Sequence, residues 1–401
     1  MRIFIAGMDG YLGWSLALYL AARGYEIAGA DRFLRRKWVA EIGSYSALPI
    51  ASPEERAQAF HENFGKMLQL SAGDLCDYGF VSDSLAEFQP DAIVHFGQMP
   101  SAPYSMMDVH RSIWTQTNNI TSNLNILWAM HEVCPQAHLI KLGTMGEYGT
   151  PGLDIPEGFF EVEFRGKKDR LPFPRQPGSF YHLSKVHDSH NTAFACKVFR
   201  LRATDVMQGV VFGTHIAEMN DDPRLRSRLD FDQCFGTTIN RFCCQAIIHH
   251  PLTIYGAGGQ RRGYLPLRDV MQCLHLILQN PPADGEYRVI NQFDECHSIR
   301  ELAQLVQDVS RELGYATCQT HYENPRIEAE SHHYRPDREQ LLQLGYRPHH
   351  DVKSEIRIML NDLAQHAERI AAKRDLLIPD IRWDGSRRKS AALPAVKQHS
   401  Q

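Results

Sequence analysis

A glycine-rich segment between a predicted strand and a predicted helix constrains the fold of this chain more than any other part of the sequence. The apolar run Arg2–Ala6 leads into it, and a helical pattern over residues 14–23 follows it. Its three glycines form a variant of the dinucleotide fingerprint, in which bare backbone approaches a pyrophosphate at a helix N-terminus. We predict that this segment binds a dinucleotide through Gly7, Asp9, Gly10, Tyr11, Leu12 and Gly13.

An acidic residue after the next predicted strand, residues 25–30, indicates which dinucleotide is bound. Asp31 stands about 20 residues after the glycine motif, where a carboxylate accepts from a ribose 2'-hydroxyl and repels a 2'-phosphate. The sequence therefore favours NAD. Arg32, Arg35 and Arg36 follow directly and could pair with a 2'-phosphate, so NADP stays open as an alternative.

Strand and helix patterns continue to alternate along the first half of the chain. Predicted strands at residues 67–72, 91–96 and 138–142 are separated by helical patterns, the longest over residues 109–133. This alternation predicts an α/β, Rossmann-type, doubly wound parallel sheet with ligands at the carboxyl ends of its strands. Asp74 follows one of those strands and is placed to accept from an adenine amino group. Residues 33–66 break the alternation, and we interpret them as an insertion.

The second half of the chain is less regular, which predicts a smaller C-terminal lobe. We expect a loop over residues 150–178 that covers a substrate, a sixth strand over residues 198–203 and a long helix over residues 351–373. The predicted organisation is a dinucleotide-binding domain over residues 1–213, to which residues 236–280 return, a smaller lobe over residues 214–375, and a flexible tail over residues 376–401.

Three side chains in the middle of the chain have the types and spacing of a dehydrogenase site. Thr144 ends an apolar run, and Tyr181 and Lys185 are four residues apart on a predicted helix. They would therefore share a face, where the ammonium of Lys185 would lower the pKa of Tyr181 so that it acts as a base. Thr144 would hold the alcohol being oxidised. The Tyr-x-x-x-Lys pattern also occurs on ordinary amphipathic helices. It indicates a dehydrogenase site here because a dinucleotide motif lies upstream.

Composition excludes several other classes of protein. A formal charge of -4 gives no basic excess for nucleic acid, and no apolar run approaches the about 18 residues of a membrane span. The nine cysteines include no Cys-x-x-Cys pair, so we predict neither a metal site nor a disulfide framework. We expect a reducing compartment, either a bacterial cytoplasm or an organelle stroma after removal of a targeting peptide.

Longer phrases of sequence are more specific than these motifs. The chain contains His95-Phe96-Gly97, the run from Lys141 to Gly149 with Thr-Met-Gly-Glu-Tyr-Gly, and Arg202-Ala203-Thr204-Asp205. In these it resembles the extended short-chain dehydrogenase/reductases that modify nucleotide sugars, and among them the UDP-sulfoquinovose synthase family. That resemblance implies oxidation of UDP-glucose at C4 by NAD, loss of water across C5 and C6, addition of sulfite at C6, and reduction at C4.

The resemblance also implies roles for individual residues. Tyr181 would be the base, Lys185 its partner, Thr144 the hydroxyl orienter, and Glu147 the acid and base at C5 and C6. Further cofactor contacts would come from Arg32, Arg36, Asp74, Leu75, Phe96, Gly97, Asn118, Gln208 and Val211. Substrate contacts would come from Tyr104, Met145, His182, Gln208, Gly236, Thr237, Gln260, Arg262 and Arg326. For His182, packing on the helix face is an equal alternative.

Departures from that family pattern cluster near the expected site and leave alternatives open. Gln98-Met99-Pro100 stands where the family has Glu-Gln-Arg, Met207 where it has Asn, and Pro266 where it has Asp. Loss of that arginine weakens the case for sulfite. The alternatives are a nucleotide-sugar 4,6-dehydratase or epimerase that does not use sulfite, and a non-catalytic NAD-binding regulatory or RNA-binding module. By analogy with the family, we expect a homodimer formed by the helices over residues 109–133 and 180–196.

Overall fold

The computed structural model describes residues 1–324, 332–378 and 380–383. The strands in chain order are β1 Arg2–Ala6, β2 Glu26–Asp31, β3 Gln69–Ala72, β4 Ala92–His95, β5 His138–Thr144, β6 Phe159–Phe164, β7 Lys167–Pro172, β8 Arg202–Gln208, β9 Val210–Phe212, β10 Leu252–Tyr255, β11 Arg261–Pro266, β12 Tyr287–Gln292, β13 Glu295–Ser298 and β14 Gln319–Tyr322. The helices are α1 Tyr11–Ala22, α2 Leu34–Glu41, α3 Pro53–Phe64, α4 Tyr78–Phe88, α5 Ala102–Ser105, α6 Val109–Val133, α7 Phe180–Phe199, α8 Thr238–Ile247, α9 Leu267–Gln279, α10 Ile299–Glu312, α11 Glu339–Gln343, α12 Val352–Ala364 and α13 Ala367–Ala371.

Seven parallel strands form the central sheet, in the order β12-β8-β5-β4-β1-β2-β3. The strand order reverses direction between β1 and β4, which pair from Ile3 opposite Ala92 to Ala6 opposite His95. In open α/β sheets, ligands bind at such a switch point, beyond the carboxyl ends of the strands. The predicted Rossmann-type, doubly wound sheet is confirmed.

Alternate side chains of β1 enter two different cores, as expected for a strand covered on both faces. Ile3 and Ile5 join the core that includes residues of α1 and α9. Phe4 and Ala6 join the core that includes residues of α4, α6 and α7. The glycine motif is therefore held at one end of a strand that is anchored on both sides.

The second half of the chain contributes a separate core and one strand of the central sheet. Residues of α8, α10 and α12 pack together around Phe242, Leu302 and Met359. The strand β12 pairs with β8 from Tyr287 opposite Ala203 to Gln292 opposite Gln208. The predicted boundary between the two lobes stays a prediction. Within the described ranges, no helix is long and apolar enough to cross a membrane.

The structure corrects several predicted elements. The strand predicted over residues 198–203 is wrong because α7 continues to Phe199; Arg200 then adopts a left-handed conformation, with φ 56°, and β8 begins at Arg202. The long helix predicted over residues 351–373 is wrong because α12 ends at Ala364 and a separate short helix follows. The insertion contains α2 and α3, and the predicted covering loop contains the hairpin of β6 and β7. The tail predicted over residues 376–401 lies mostly outside the described residues.

Candidate active site

A cavity of about 340 Å³ lies at the carboxyl ends of the central strands, over the glycine motif. Most residues predicted to contact the cofactor line this cofactor cavity. Those on its wall are Gly7, Gly10, Tyr11, Leu12, Gly13, Asp31, Arg32, Asp74, Leu75, Phe96, Gly97, Asn118, Tyr181, Gln208 and Val211.

The glycine motif leaves room for a phosphate at the start of α1. The N-cap residue of α1 is Gly10, which has no side chain that could cap the helix. The first amide groups of the helix are therefore open to an anion. A Cβ on Gly13 would lie 2.2 Å from the carbonyl oxygen of Gly7, which no real side chain tolerates. The backbone arrangement therefore requires glycine and fits a pyrophosphate.

Asp31 ends β2 on the cavity wall, where the ribose contact was predicted. Its carboxylate accepts from the backbone N–H of Asp9 at 2.9 Å and from that of Phe33 at 2.7 Å. Burial and the neighbouring Asp9 carboxylate raise the pKa of Asp31 to about 6. The carboxylate is thus held in place while its remaining lone pairs can accept from a ribose hydroxyl.

The three arginines that could bind a 2'-phosphate are already paired with carboxylates. Those pairs are Arg32 with Asp74, Arg35 with Asp230 and Arg36 with Asp9. A 2'-phosphate would have to compete for these cations and would also face Asp31. The arrangement favours NAD over NADP.

A second cavity of about 830 Å³ adjoins the first, and we call it the substrate cavity. The predicted substrate residues on its wall are Met145, His182, Gln208, Gly236, Thr237, Gln260 and Arg262. Thr144, Tyr181 and Gln208 line both cavities. The hydroxyls of Thr144 and Tyr181 are therefore at the place where a substrate and a nicotinamide would meet.

Several predicted site residues do not reach either cavity wall. Tyr104 is buried, with its ring packed against Trp38 at 6.1 Å and Phe235 at 5.6 Å between centroids. Asp9 and Arg36 pair with each other behind the glycine motif. These three residues support the walls in this structure rather than form them. Arg326 lies outside the described residues.

The environment of Tyr181 differs from the prediction. Burial and the Glu147 carboxylate raise the pKa of Tyr181 above its usual value, although a hydrogen bond with Thr144 works in the opposite direction. The predicted lowering by Lys185 is not seen in this structure. The physical reason is that a phenolate loses hydration in this buried position.

Lys185 lies one helical turn after Tyr181, with its ammonium beneath the cavity wall. Its Nζ donates to the carbonyl oxygen of Leu142 at 2.7 Å and to Oε1 of Gln98. Burial and the nearby ammonium of Lys141 lower the pKa of Lys185 to about 8. The charge of this lysine is therefore sensitive to the groups around it.

Glu147, the predicted acid and base, is fully buried and lines neither cavity. Its carboxylate pairs with Arg175 at 3.0 Å and lies 3.6 Å from the ammonium of Lys141. It also accepts from Oγ of Ser189 at 2.8 Å and from the backbone N–H of Thr144 at 3.2 Å. The structure thus places it in a buried ionic cluster directly behind Thr144.

Sequence reasoning did not predict Arg228 and Asp230 on the cofactor cavity wall, and it considered Arg35 only as a partner for a 2'-phosphate. Arg35 and Arg228 both pair with Asp230, and the Arg35 guanidinium lies 4.1 Å from the ring centre of Phe235. Within the described residues, one buried guanidinium nitrogen on each arginine has no hydrogen-bond partner. The opposite charges of Arg228 and Asp230, two residues apart, could have indicated a charged site. Only the packing of α2 against the second lobe brings Arg35 to them at the cavity. On the substrate cavity, Arg241 was missed in the same way.

Together, the Rossmann-type sheet, the glycine motif and the Thr144, Tyr181 and Lys185 arrangement define an NAD-dependent enzyme of the short-chain dehydrogenase/reductase type. The chain belongs to the NAD dependent epimerase/dehydratase family, whose sequence model matches residues 3–291. Its cofactor is NAD, as predicted.

Relatives and solved structures agree with this assignment. The chain is 45% identical over 382 residues to the chloroplastic UDP-sulfoquinovose synthase of Spinacia oleracea, a match that covers 95% of this chain and 79% of that protein. It is 44% identical over 384 residues to the UDP-sulfoquinovose synthase of Sulfolobus acidocaldarius, covering 96% and 98%. A solved UDP-glucose 4-epimerase of Thermus thermophilus in complex with NAD shares the fold, with a TM-score of 0.65, 21% identity and coverage of 90% and 99%. The predicted family resemblance is confirmed.

Proposed function

We propose that this protein is a UDP-sulfoquinovose synthase that converts UDP-glucose and sulfite into a UDP-sugar with a sulfonate at C6. The observation that carries the proposal is identity of 44–45% to UDP-sulfoquinovose synthases over nearly the whole chain. It is supported by a cofactor cavity and a substrate cavity that meet at Thr144 and Tyr181. The proposed reaction takes place where these two side chains meet the substrate.

Oxidation at C4 requires a base and a group that holds the hydroxyl. Tyr181 accepts the proton of the C4 hydroxyl, and Thr144 fixes that hydroxyl by hydrogen bonding. NAD held by the glycine motif and Asp31 would supply a hydride acceptor for C4 and, in its reduced form, the hydride donor for the last step. The ammonium of Lys185, one turn further along α7, would stabilise the phenolate against the burial that raises the pKa of Tyr181.

Elimination follows because a 4-ketone acidifies the C5 proton. Glu147 takes that proton and, once protonated, gives it to the C6 hydroxyl, which leaves as water. A Cβ on Gly143 would lie 2.9 Å from Oε1 of Glu147, so only glycine separates this carboxylate from the cofactor cavity wall. For this role the carboxylate must turn from Arg175 and Lys141 towards the sugar. Met145 forms an apolar wall beside it.

The remaining predicted contacts suit the two ends of the substrate. Sulfur of bisulfite forms a bond to C6 of the unsaturated ketone, C5 gains the proton that bisulfite brings, and C4 receives the hydride while its oxygen regains the proton held by Tyr181. Arg262 supplies a cation for the uridine diphosphate, together with Thr237 and Gln260 on the same wall. His182 lies over Gly146, where an added Cβ would be 2.4 Å from its Nε2, and also lines the substrate cavity.

The use of sulfite is the first testable prediction. Purified protein with UDP-glucose and sulfite is expected to form a product whose mass equals UDP-glucose with one hydroxyl replaced by sulfonate, detected by mass spectrometry. Omitting sulfite is expected to abolish that product, and Tyr181→Phe is the matched inactive control.

A second candidate function is favoured by one observation. Pro100 lines both cavities where the resembled family has an arginine, so no cation is contributed for sulfite at that position. Conversion of UDP-glucose to a product of the same mass, or of one water less, without any sulfite dependence would support an epimerase or 4,6-dehydratase and reject the synthase. The binding-module alternative would require that no conversion occurs at all.

We further propose a homodimer formed by α6 and α7, which carry large exposed apolar side chains. Ile113 is 60% exposed and Phe194 is 65% exposed. Phe194→Glu is expected to convert a dimer into a monomer in analytical ultracentrifugation, because it places a charge in an apolar interface. Leu153→Glu changes an equally exposed residue outside these helices and is expected to leave the dimer intact. A parent protein that sediments as a monomer would contradict the proposal.

A further inference from the structure

The catalytic lysine is connected to a buried carboxylate that the sequence did not single out. Nζ of Lys185 donates to Oε1 of Gln98, and Nε2 of the same amide donates to Oδ2 of Asp188 at 2.7 Å. All three side chains are buried. The amide nitrogen also donates to the backbone oxygen of Asn119 at 2.9 Å, which fixes the amide with its oxygen towards the lysine.

Charged groups on β5, β8, α7 and the turn after β5 surround Lys185, and these charges oppose one another. The charged groups are Lys141 on β5, Glu147 in the 3₁₀ turn Met145–Glu147, Asp205 on β8 and Asp188 on α7 itself. His95 on β4 is also close, but burial and the two lysines lower its pKa well below the usual range, so it is neutral. Lys141 is held by Asp205 and Glu147 in the cluster behind Thr144.

Asp188 differs from the other two carboxylates in its contacts. Asp205 accepts from Lys141 at 3.1 Å, and Glu147 pairs with Arg175 at 3.0 Å. Asp188 accepts from the Gln98 amide, and burial raises the pKa of its carboxyl to about 7. In its charged form Asp188 acts on Lys185 through the polarised Gln98 amide, and it also attracts the ammonium of Lys141.

We propose that Gln98 and Asp188 are positioning residues that hold Lys185 in its charged form and fix its ammonium against the carbonyl oxygen of Leu142. This inference rests on the proposed redox role of Tyr181 and Lys185 and extends it. An anion at this distance favours the ammonium, so its removal makes Lys185 lose its proton at lower pH. A neutral lysine no longer supports the Tyr181 phenolate.

The test follows the first half-reaction, the reduction of bound NAD after the NAD-containing protein is mixed with UDP-glucose. The absorbance of reduced nicotinamide is recorded between about pH 6 and about pH 10, where the acid and base limbs report the essential groups. The rate falls at high pH along the basic limb of the profile. In Asp188→Asn, the midpoint of this limb is expected to lie about one pH unit lower than in the parent protein. At pH values above the midpoint of that limb, the rate of the variant is then about tenfold lower than that of the parent. The UDP-glucose concentration that gives the half-maximal rate changes less than about twofold.

Two further variants make the result specific. Gln98→Met removes the amide of residue 98 but keeps the Asp188 carboxylate. It is expected to move the same limb of the pH profile in the same direction. If Asp188→Asn does not fold, Gln98→Met tests the proposal in its place. Thr192→Val changes a buried polar residue one turn further along α7 and is expected to keep the parent profile. Folded, NAD-containing variants at Gln98 and Asp188 with an unmoved limb would overturn the proposal, as would an equal shift in Thr192→Val. A parent protein that never reduces its NAD would overturn the proposed function itself.

Discussion

Replacing Tyr181 by phenylalanine is expected to slow the reduction of bound NAD by UDP-glucose about 10²- to 10⁴-fold, the usual contribution of a positioned general base. The phenyl ring keeps the packing of the tyrosine in its buried position but offers no oxygen to the C4 hydroxyl. Binding of UDP-glucose is expected to change only slightly, because Gln260 and Arg262, proposed to hold the uridine diphosphate, line the substrate cavity alone. Stopped-flow absorbance measures the rate, and calorimetry measures the affinity.

Tyr45→Phe is the matched control for this experiment. It removes a tyrosine hydroxyl that donates to the carbonyl oxygen of Arg369, away from both cavities. Its redox rate is expected to equal that of the parent. A Tyr181→Phe protein within about tenfold of the parent rate would show that another group takes the proton.

The largest expected effect on stability comes from Lys141→Met. The ammonium of Lys141 is fully buried and donates to Oδ1 and Oδ2 of Asp205 at 3.1 Å and to Oγ of Ser189 at 2.8 Å. Burial opposes ionisation of Asp205, but Lys141, with hydrogen bonds from Tyr287 and Ser189, holds the pKa of that carboxyl below its usual value. Methionine fills the space without the charge. The free energy of unfolding is therefore expected to fall by about 3–5 kcal/mol, because a buried carboxylate loses its cation.

Urea unfolding followed by far-UV circular dichroism measures this loss, with Lys37→Met as the control. Lys37 is exposed on α2, so its replacement is expected to change the free energy of unfolding by less than about 0.5 kcal/mol. The Lys141→Met loss is expected to shrink at low pH, where Asp205 binds a proton and no longer needs the ammonium. A Lys141→Met protein as stable as the parent near neutral pH would contradict the assignment of this cluster as a stabilising one.

The glycine motif and the candidate site residues Thr144, Tyr181 and Lys185 could be located from sequence because their information is local. A strand, three glycines and a helix follow one another within the first residues, and Tyr181 and Lys185 are one helical turn apart. Helix α6 begins and ends where its apolar pattern predicts, at Val109 and Val133. The choice of NAD also followed from one residue, Asp31, at the end of one strand.

The environment of the same site was not predictable in this way. Lys141 and Asp205 are 64 residues apart and meet only because β5 and β8 are neighbours in register. That pairing draws Glu147 into a buried cluster, whereas the motif alone suggests a carboxylate open to the substrate. Tyr104 is likewise turned away from the cavity by packing against Trp38 of α2.

Sequence by itself determined the fold class and the dinucleotide and located the candidate reacting side chains, because periodicity and short spacings encode local structure. The tertiary structure alone decided which charges surround those side chains. Ion pairs and buried amides such as Gln98 depend on which strands and helices become neighbours, and that choice is made by the packing of the whole chain.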